Sequence, residues 1–441
     1  MSFSRLLPAS WRGRGGGPFV PGGRDPSLLL IARVTMSAQR ALTGVVLPIY
    51  LASLGYSAIR LAALFVAVAV LSAVISAFIG VSSDQIGRKP FLVALPVMTA
   101  AAAVVFMVTS SEVALFIAAA VGSFGRGSGA GAAQVGPYQP AEQALLAGMV
   151  EDRQRPRLFG LVASASALGG LIGSLFAALP TGQPLGHDPV GPHTYLWVWL
   201  VAVLLPLVAA GCALPVREAR RARSGSGSRF RGPRNPLAPE SRRLVLKLAL
   251  TNITNGMAVG LFGPFITYWL YRRFGAGTAE IGALYAVVNV ITVGSNLLAA
   301  PIARRIGVVR TVVLARSAQA LLLVPMAISP TFAVAGAVYT LRMIAQRQGL
   351  ALRQSFVMSS APEPDRARVA AFSNLPSQGI SAFTPLLTGY LFEEVSLSLP
   401  LEIAGALQFV NAMLFQLLFA SADREQRAAD EASAEAGEPR R

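Results

Sequence analysis

A chain of 441 residues that is 54% hydrophobic and only 13% charged is not a soluble domain, since soluble chains carry about 25% charged residues. Its net charge of +17 comes almost entirely from arginine, with lysine only at Lys89 and Lys247. The arginines gather in alternate loops between apolar runs, the distribution that fixes membrane topology, so a bilayer and not a nucleic acid is the expected partner. The single Cys212 sits inside an apolar run, which leaves no disulfide framework.

Residues 1–25 are rich in Gly, Pro and Arg and lack an apolar core followed by a cleavage pattern. They read as a disordered cytoplasmic arm, not a signal peptide. Apolar runs then recur to the end: Leu28–Leu54, Ile59–Ser82, Phe91–Ser110, Val113–Met149, Leu158–Pro180, Tyr195–Val216, Leu244–Tyr271, Ala279–Ile302, Thr311–Ile328, Thr331–Ser359, Val369–Phe392 and Leu399–Ser421. Judged against the roughly 20 residues needed to span a bilayer, these are twelve transmembrane helices. The fourth is overlong and carries Pro137 and Pro140, so a kink is expected near its cytoplasmic end.

Between the second and third runs lies GVSSDQIGRKP, residues Gly80–Pro90. Gly80 and Gly87 permit close backbone approach or positive φ, Asp84 can cap a helical turn or pair with Arg88, and Pro90 suits the first turn of the next helix. Arg88 and Lys89 mark the cytoplasmic face. The order Gly-x-x-x-Asp-x-x-Gly-Arg-Lys resembles the signature loop of the major facilitator superfamily, which joins helices 2 and 3. Gln85 stands where that family usually has a basic residue. The resemblance implies a gating loop that latches the two halves together on the cytoplasmic side, formed here by Gly80, Asp84, Gly87, Arg88 and Lys89.

Within the fourth run, Gly125-Arg126-Gly127-Ser128-Gly129 has no preceding strand and no Lys-Ser/Thr pair, so it is not a nucleotide loop. The fifth carries Gly160, Gly169 and Gly173, spaced as in the same family's drug-efflux signature. Ser174 and Ala177-Ala178 depart from that signature, and ordinary helix packing through small residues competes with an efflux-specific role. The Arg217–Arg243 stretch is a flexible basic linker, and the second half repeats the first at a shift of roughly 220. Gly55 falls on Gly275, Leu64-Phe65 on Leu284-Tyr285, Ile86-Gly87 on Ile306-Gly307, and Asp84 on Arg304. The tail, residues 422–441, is polar and helix-prone without an apolar face.

The expected fold is therefore an all-α membrane protein of twelve transmembrane helices in two pseudo-symmetric six-helix halves, residues 26–216 and 244–421. The arm 1–25, the linker 217–243 and the tail 422–441 would lie in the cytoplasm.

Charges inside the runs say most about function. Arg40 lies about 12 residues into the first helix, about 18 Å deep at 1.5 Å per residue. Arg126 and Arg342 lie at similar depth on helices 4 and 10, while Asn252, Asn255, Asn289 and Gln319 fall mid-helix on helices 7, 8 and 9. A charge at that depth costs several kcal/mol unless it faces water or a partner. In the family, helices 1, 4, 7 and 10 line the central cavity, so the resemblance makes Arg40, Arg126 and Arg342 candidate substrate contacts; Asn252, Asn255, Asn289 and Gln319 are candidates beside them, and the asparagines suit hydrogen bonding between helices equally well. Asn255 is expected to face Arg40. Arg33, Arg316 and Arg353, nearer helix ends, suit snorkelling. Acids are scarce at mid-depth, with Glu142 toward the cytoplasmic end of helix 4.

His187 and His193 occupy an outside loop without HExxH spacing, and no serine elbow or paired carboxylates occur. No catalytic or metal site is expected, and no cofactor. The expected activity is secondary transport of a small anionic or zwitterionic organic solute across the cytoplasmic membrane by alternating access. A proton gradient or a counter-transported solute would drive it, and the protein would work as a monomer. The alternatives are a proton-coupled multidrug exporter and a non-transporting sensor or scaffold on the same fold.

Overall fold

The computed structural model describes residues 24–125, 136–149, 155–178, 195–216, 238–291, 307–360, 362 and 365–435. Among them the regular structure is helical: α1 (Arg24–Ser53), α2 (Ala58–Ile86), α3 (Lys89–Val108), α4 (Glu112–Gly122), α5 (Tyr138–Met149), α6 (Arg155–Ala178), α7 (Leu196–Ala213), α8 (Pro239–Phe262), α9 (Ile266–Phe274), α10 (Thr278–Ile291), α11 (Val308–Ala327), α12 (Phe332–Ser360), α13 (Arg366–Glu394) and α14 (Leu399–Glu435). Counting α4 with α5 and α8 with α9 gives twelve spans, six per half.

Seven helical stretches are long and apolar enough on their own to cross a membrane. α1, α12 and α13 are not among them, because polar side chains such as Arg33, Arg40, Arg342, Arg353 and Asn374 interrupt their apolar faces. Such helices belong inside a bundle, away from lipid. Elsewhere large apolar side chains point outward, among them Phe78, Trp197, Leu321 and Leu417, as a lipid-facing surface requires.

The two halves repeat in backbone detail as well as in sequence. Gly55 and Gly275, which end the helices before short turns, have φ of 83° and 67°. Gly87 and Gly307, in the equivalent turns after α2 and before α11, have φ of 100° and 92°. An L side chain would be strained at each of these four positions.

The fourth span is broken before its prolines. α4 stops at Gly122, where Ser123 takes a left-handed conformation with φ 55°, and α5 runs from Tyr138 to Met149, directly after a turn at Pro137. Gly125 and Gly136 also have positive φ. The glycine-rich sequence ends the helix a turn before Arg126 and well before Pro137. Residues 126–135, Arg126 included, lie outside the described residues.

One end of the bundle is basic, carrying Arg88, Lys89, Arg242, Arg243, Arg310 and Arg368; the far end carries Glu112, Glu393, Glu394 and Glu402 beside Arg60, Arg272 and Arg273. The apolar interior divides along the same axis. At the far end a single core runs through both halves, from Leu42, Tyr50, Leu64 and Trp199 to Phe265, Trp269, Tyr285 and Phe392. At the basic end each half has its own core. Leu29, Tyr138, Leu146 and Leu158 belong to the first, and Leu248, Val312, Phe356 and Phe415 to the second. Among the described residues the apolar cores of the halves are joined at the far end and separate at the basic end.

Candidate functional site

Three groups of side chains bear on function: the far-end seal, a polar node in the first half and buried polar residues in the second.

The seal is built by α2, α9 and α13. Phe265 packs edge-on against Phe65 of the other half at 5.3 Å and against Phe392 at 5.5 Å. Beside them Glu393 of α13 accepts a hydrogen bond from the backbone N–H of Ile59 in the first turn of α2, at 3.1 Å. A carboxylate at a helix N-terminus satisfies an otherwise orphaned donor and meets the favourable end of the helix dipole. Two steps deeper, Thr267 donates to the Gly44 carbonyl at 3.3 Å and shares a 2.9 Å bond with Tyr285. Asn289 continues this line, donating to the Tyr285 carbonyl at 2.9 Å and to Ser174 of α6 at 3.5 Å. Asn289 thus lies on the seam between halves, against Gly170.

In the first half Arg33, only 2% exposed, does not reach for a membrane surface. It donates to Glu142 of α5 at 2.7 Å and to Ser166 of α6 at 2.7 Å, and Glu142 itself is fully buried. The snorkelling expectation fails for Arg33 because a carboxylate at the same level offers a better place than the interface. Arg40, two turns further along α1, lines a small cavity of about 20 Å³ together with Gln39, Thr99, Ser123 and Tyr138, room for a water molecule. Every residue lining it belongs to the first half. Asn255, half-buried on α8, is not among its lining residues.

In the second half Asn252, Gln319 and Arg342 stand on α8, α11 and α12, each with its own neighbours. Arg342, 6% exposed, stands with its guanidinium 4.6 Å from the centre of the Phe262 ring. Gln319 is buried beside Gly349 of α12 and donates to the Ala315 carbonyl at 3.2 Å. Asn252 donates to the Ser373 carbonyl at 2.7 Å and accepts from Arg353. Arg316, 5% exposed, lies over Phe415 and so does not snorkel either. Sequence reasoning assigned Arg33, Arg316 and Arg353 to snorkelling and did not pair Arg33 with Glu142. The available signal was that Glu142 and Arg33 sit at matching depth on helices 4 and 1 with opposite charge.

Among the glycines of α6, a Cβ at Gly169 would lie 2.3 Å from the Val34 carbonyl oxygen, and one at Gly173 2.0 Å from that of Ala38. Both bring α6 against α1 inside the half. Gly160 faces open space. In the gating loop Gly87 has its positive φ, and Arg88 and Lys89 are half-buried. Gly80 and Asp84 lie within α2, and the Asp84 side chain falls outside what is described.

The sequence profile described as Major Facilitator Superfamily matches residues 29–346 and 248–440. The chain belongs to the Major Facilitator Superfamily. This superfamily member is 20% identical over 436 residues to an uncharacterized membrane protein of Saccharomyces cerevisiae, covering 92% of this chain and 96% of the relative. Among solved structures it is similar to the nucleoside transporter NupG, with a TM-score of 0.68 at 11% identity over 90% of this chain and 99% of that one. It is similar to a D-xylose–proton symporter, with a TM-score of 0.66 at 14% identity over 88% and 96%. A bacterial homologue of the human lysosomal transporter Spinster, inward-facing and unoccupied, gives 0.64 at 14% identity over 92% and 96%. At these identities the structures establish the fold. The protein is a multi-pass membrane transporter of this superfamily.

Proposed function

We propose that this superfamily member carries a small organic solute with a negative charge, or a zwitterion, by alternating access across the cytoplasmic membrane. The observation that carries the reading is Arg342. It is buried on a cavity helix, and among the described residues no carboxylate lies within ion-pair distance of it. Arg33, by contrast, has Glu142. A cation held inside without its own acid favours an anionic group of the solute, which a guanidinium can bind through two donors. Asn252 on α8 and Gln319 on α11 supply neutral hydrogen-bonding groups in the same half, and Arg40 lines the small cavity in the first half.

By the positive-inside rule the basic end and both termini lie in the cytoplasm. A sealed far end and two separate cores among the described residues of the basic end support reading this arrangement as inward-facing. Asp84 and Arg88 would latch the basic end when the protein turns outward. Uptake into proteoliposomes tests the reading: organic anions should move, Arg342→Ala should lose most of that transport, and Arg342→Lys should lose less. Transport of lipophilic cations undiminished by Arg342→Ala would replace it with multidrug export. Glu142 favours that second reading, since proton-coupled exporters need an intramembrane carboxylate. Uptake of organic anions against lipophilic cations in the same vesicles separates the two.

A further inference from the structure

Each half carries a polar node at the same place, and the two nodes are completed differently. In the first half Arg33 of α1, Glu142 of α5 and Ser166 of α6 meet. In the second, Asn252 of α8, Arg353 of α12 and Asn374 of α13 meet: Arg353 donates through Nη1 to Asn252 Oδ1 and through Nη2 to Asn374 Oδ1, the latter at 3.3 Å. The positions correspond. Glu142 stands seven residues before the end of α5 at Met149, and Arg353 seven before the end of α12 at Ser360. Ser166 lies three residues before Gly169, where α6 crosses α1, and Asn374 three before Ser377, where α13 crosses α8 at Gly256.

In the first node the charges cancel; in the second they accumulate. Arg316 of α11 is 5% exposed, its guanidinium 5.5 Å from the centre of the Phe415 ring; that ring packs against Phe356, three residues beyond Arg353 on α12, and Ala315 meets Gly349, four residues before Arg353. Among the described residues neither arginine has an acidic partner. The asparagines offer Arg353 only neutral oxygens. Their nitrogens are used elsewhere, Asn252 Nδ2 on the Ser373 carbonyl at 2.7 Å and Asn374 Nδ2 on that of Ala370 at 2.9 Å. Two buried donors are left over, Arg316 Nη1 and Arg353 Nε, neither with a hydrogen-bond partner. Like charges inside a protein, with unsatisfied donors on both, form an arrangement that persists only with something negative to share.

We propose that a small inorganic anion of halide size occupies this node, accepting from Arg316 Nη1 and Arg353 Nε, and that it does for the second half what the Glu142 carboxylate does for the first. A charged group on an organic solute is a poorer fit, because Phe415 covers Arg316 and leaves little of it accessible. The inference does not depend on which solute is carried. Its role is to hold α8, α11, α12 and α13 together while the halves rock.

The test uses the purified full-length protein in detergent, with melting followed by tryptophan fluorescence. Chloride is titrated against gluconate at constant ionic strength and pH. The wild type should show a saturable rise in melting temperature of about 2–4 °C. Asn374→Asp places a tethered carboxylate beside Arg353, so it should melt higher than the wild type in gluconate and no longer respond to chloride. Arg316→Gln should also lose the response, whereas Lys247→Gln, an exposed cation on α8, should keep it. A wild type indifferent to chloride overturns the proposal, because water then satisfies the two donors. So does a chloride response that persists unchanged in Asn374→Asp. Should Arg316→Gln fail to fold, those two measurements decide the matter. Neither involves transport, so a wrong solute class leaves the result standing.

Discussion

At Arg33 the guanidinium uses Nη1 on Glu142 and Nε on Ser166, and removing the carboxylate would leave a cation buried inside the first half. Breaking one partner of such a pair typically costs about 3–5 kcal/mol, while replacing both by apolar groups of similar size costs far less. Glu142→Gln is therefore expected to lower thermal stability sharply, and Glu142→Leu combined with Arg33→Met to recover most of it. Melting of the two purified variants decides between them; equal losses would mean that the pair is not the cause. The α6 glycines give a second contrast. Gly173→Ala pushes a methyl group into the Ala38 carbonyl and should cost on the order of 1–3 kcal/mol, whereas Gly160→Ala meets nothing and should be neutral or stabilising by up to about 1 kcal/mol. Their common spacing in the sequence hides this difference. Which face of α6 meets α1 depends on the crossing of two helices far apart in the chain. The Arg33–Glu142 pair, separated by 109 residues, was illegible for the same reason. Depth along a helix can be counted, but rotation about its axis is fixed only by packing.

At the scale of helices, the seal between α2 and α13 is the contact most open to experiment. Glu393 reaches across the halves to the first turn of α2, a contribution of roughly 0.3–1 kcal/mol for a carboxylate at a helix N-terminus. Glu393→Gln should then shift the population toward a far end that is open, by a factor of about two to five. With Cys212 replaced by serine, a cysteine introduced at Ala62, beside Gly389 in the seam, reports this directly. An impermeant thiol reagent applied from the far side should label it faster in the Glu393→Gln background. Equal rates would show that the aromatic contacts alone keep the seal. The spans themselves were legible from hydrophobic length, and so was the repeat, since Gly55 and Gly275 share a left-handed backbone. The break in the fourth span was misplaced. Pro137 and Pro140 drew attention to its later part, while Gly122 to Gly125 had already ended the helix through positive φ.

For the whole molecule, the division of its apolar interior into one shared core and two separate ones has a thermal consequence. To open the far end, Phe65, Phe265, Tyr268 and Phe392 must part and meet water, while the two basic-end cores move as they are. Hydrating aromatic and aliphatic surface raises heat capacity, by about 0.45 cal/mol/K for each Å² of apolar area. The outward turn therefore carries an enthalpy that changes with temperature, and the logarithm of the turnover rate plotted against reciprocal temperature should be a curve. Phe265→Ala removes the ring at the centre of that surface and should flatten the curvature as well as speed the outward turn. The molecule's working temperature range is then written into four aromatic rings at one end of the bundle.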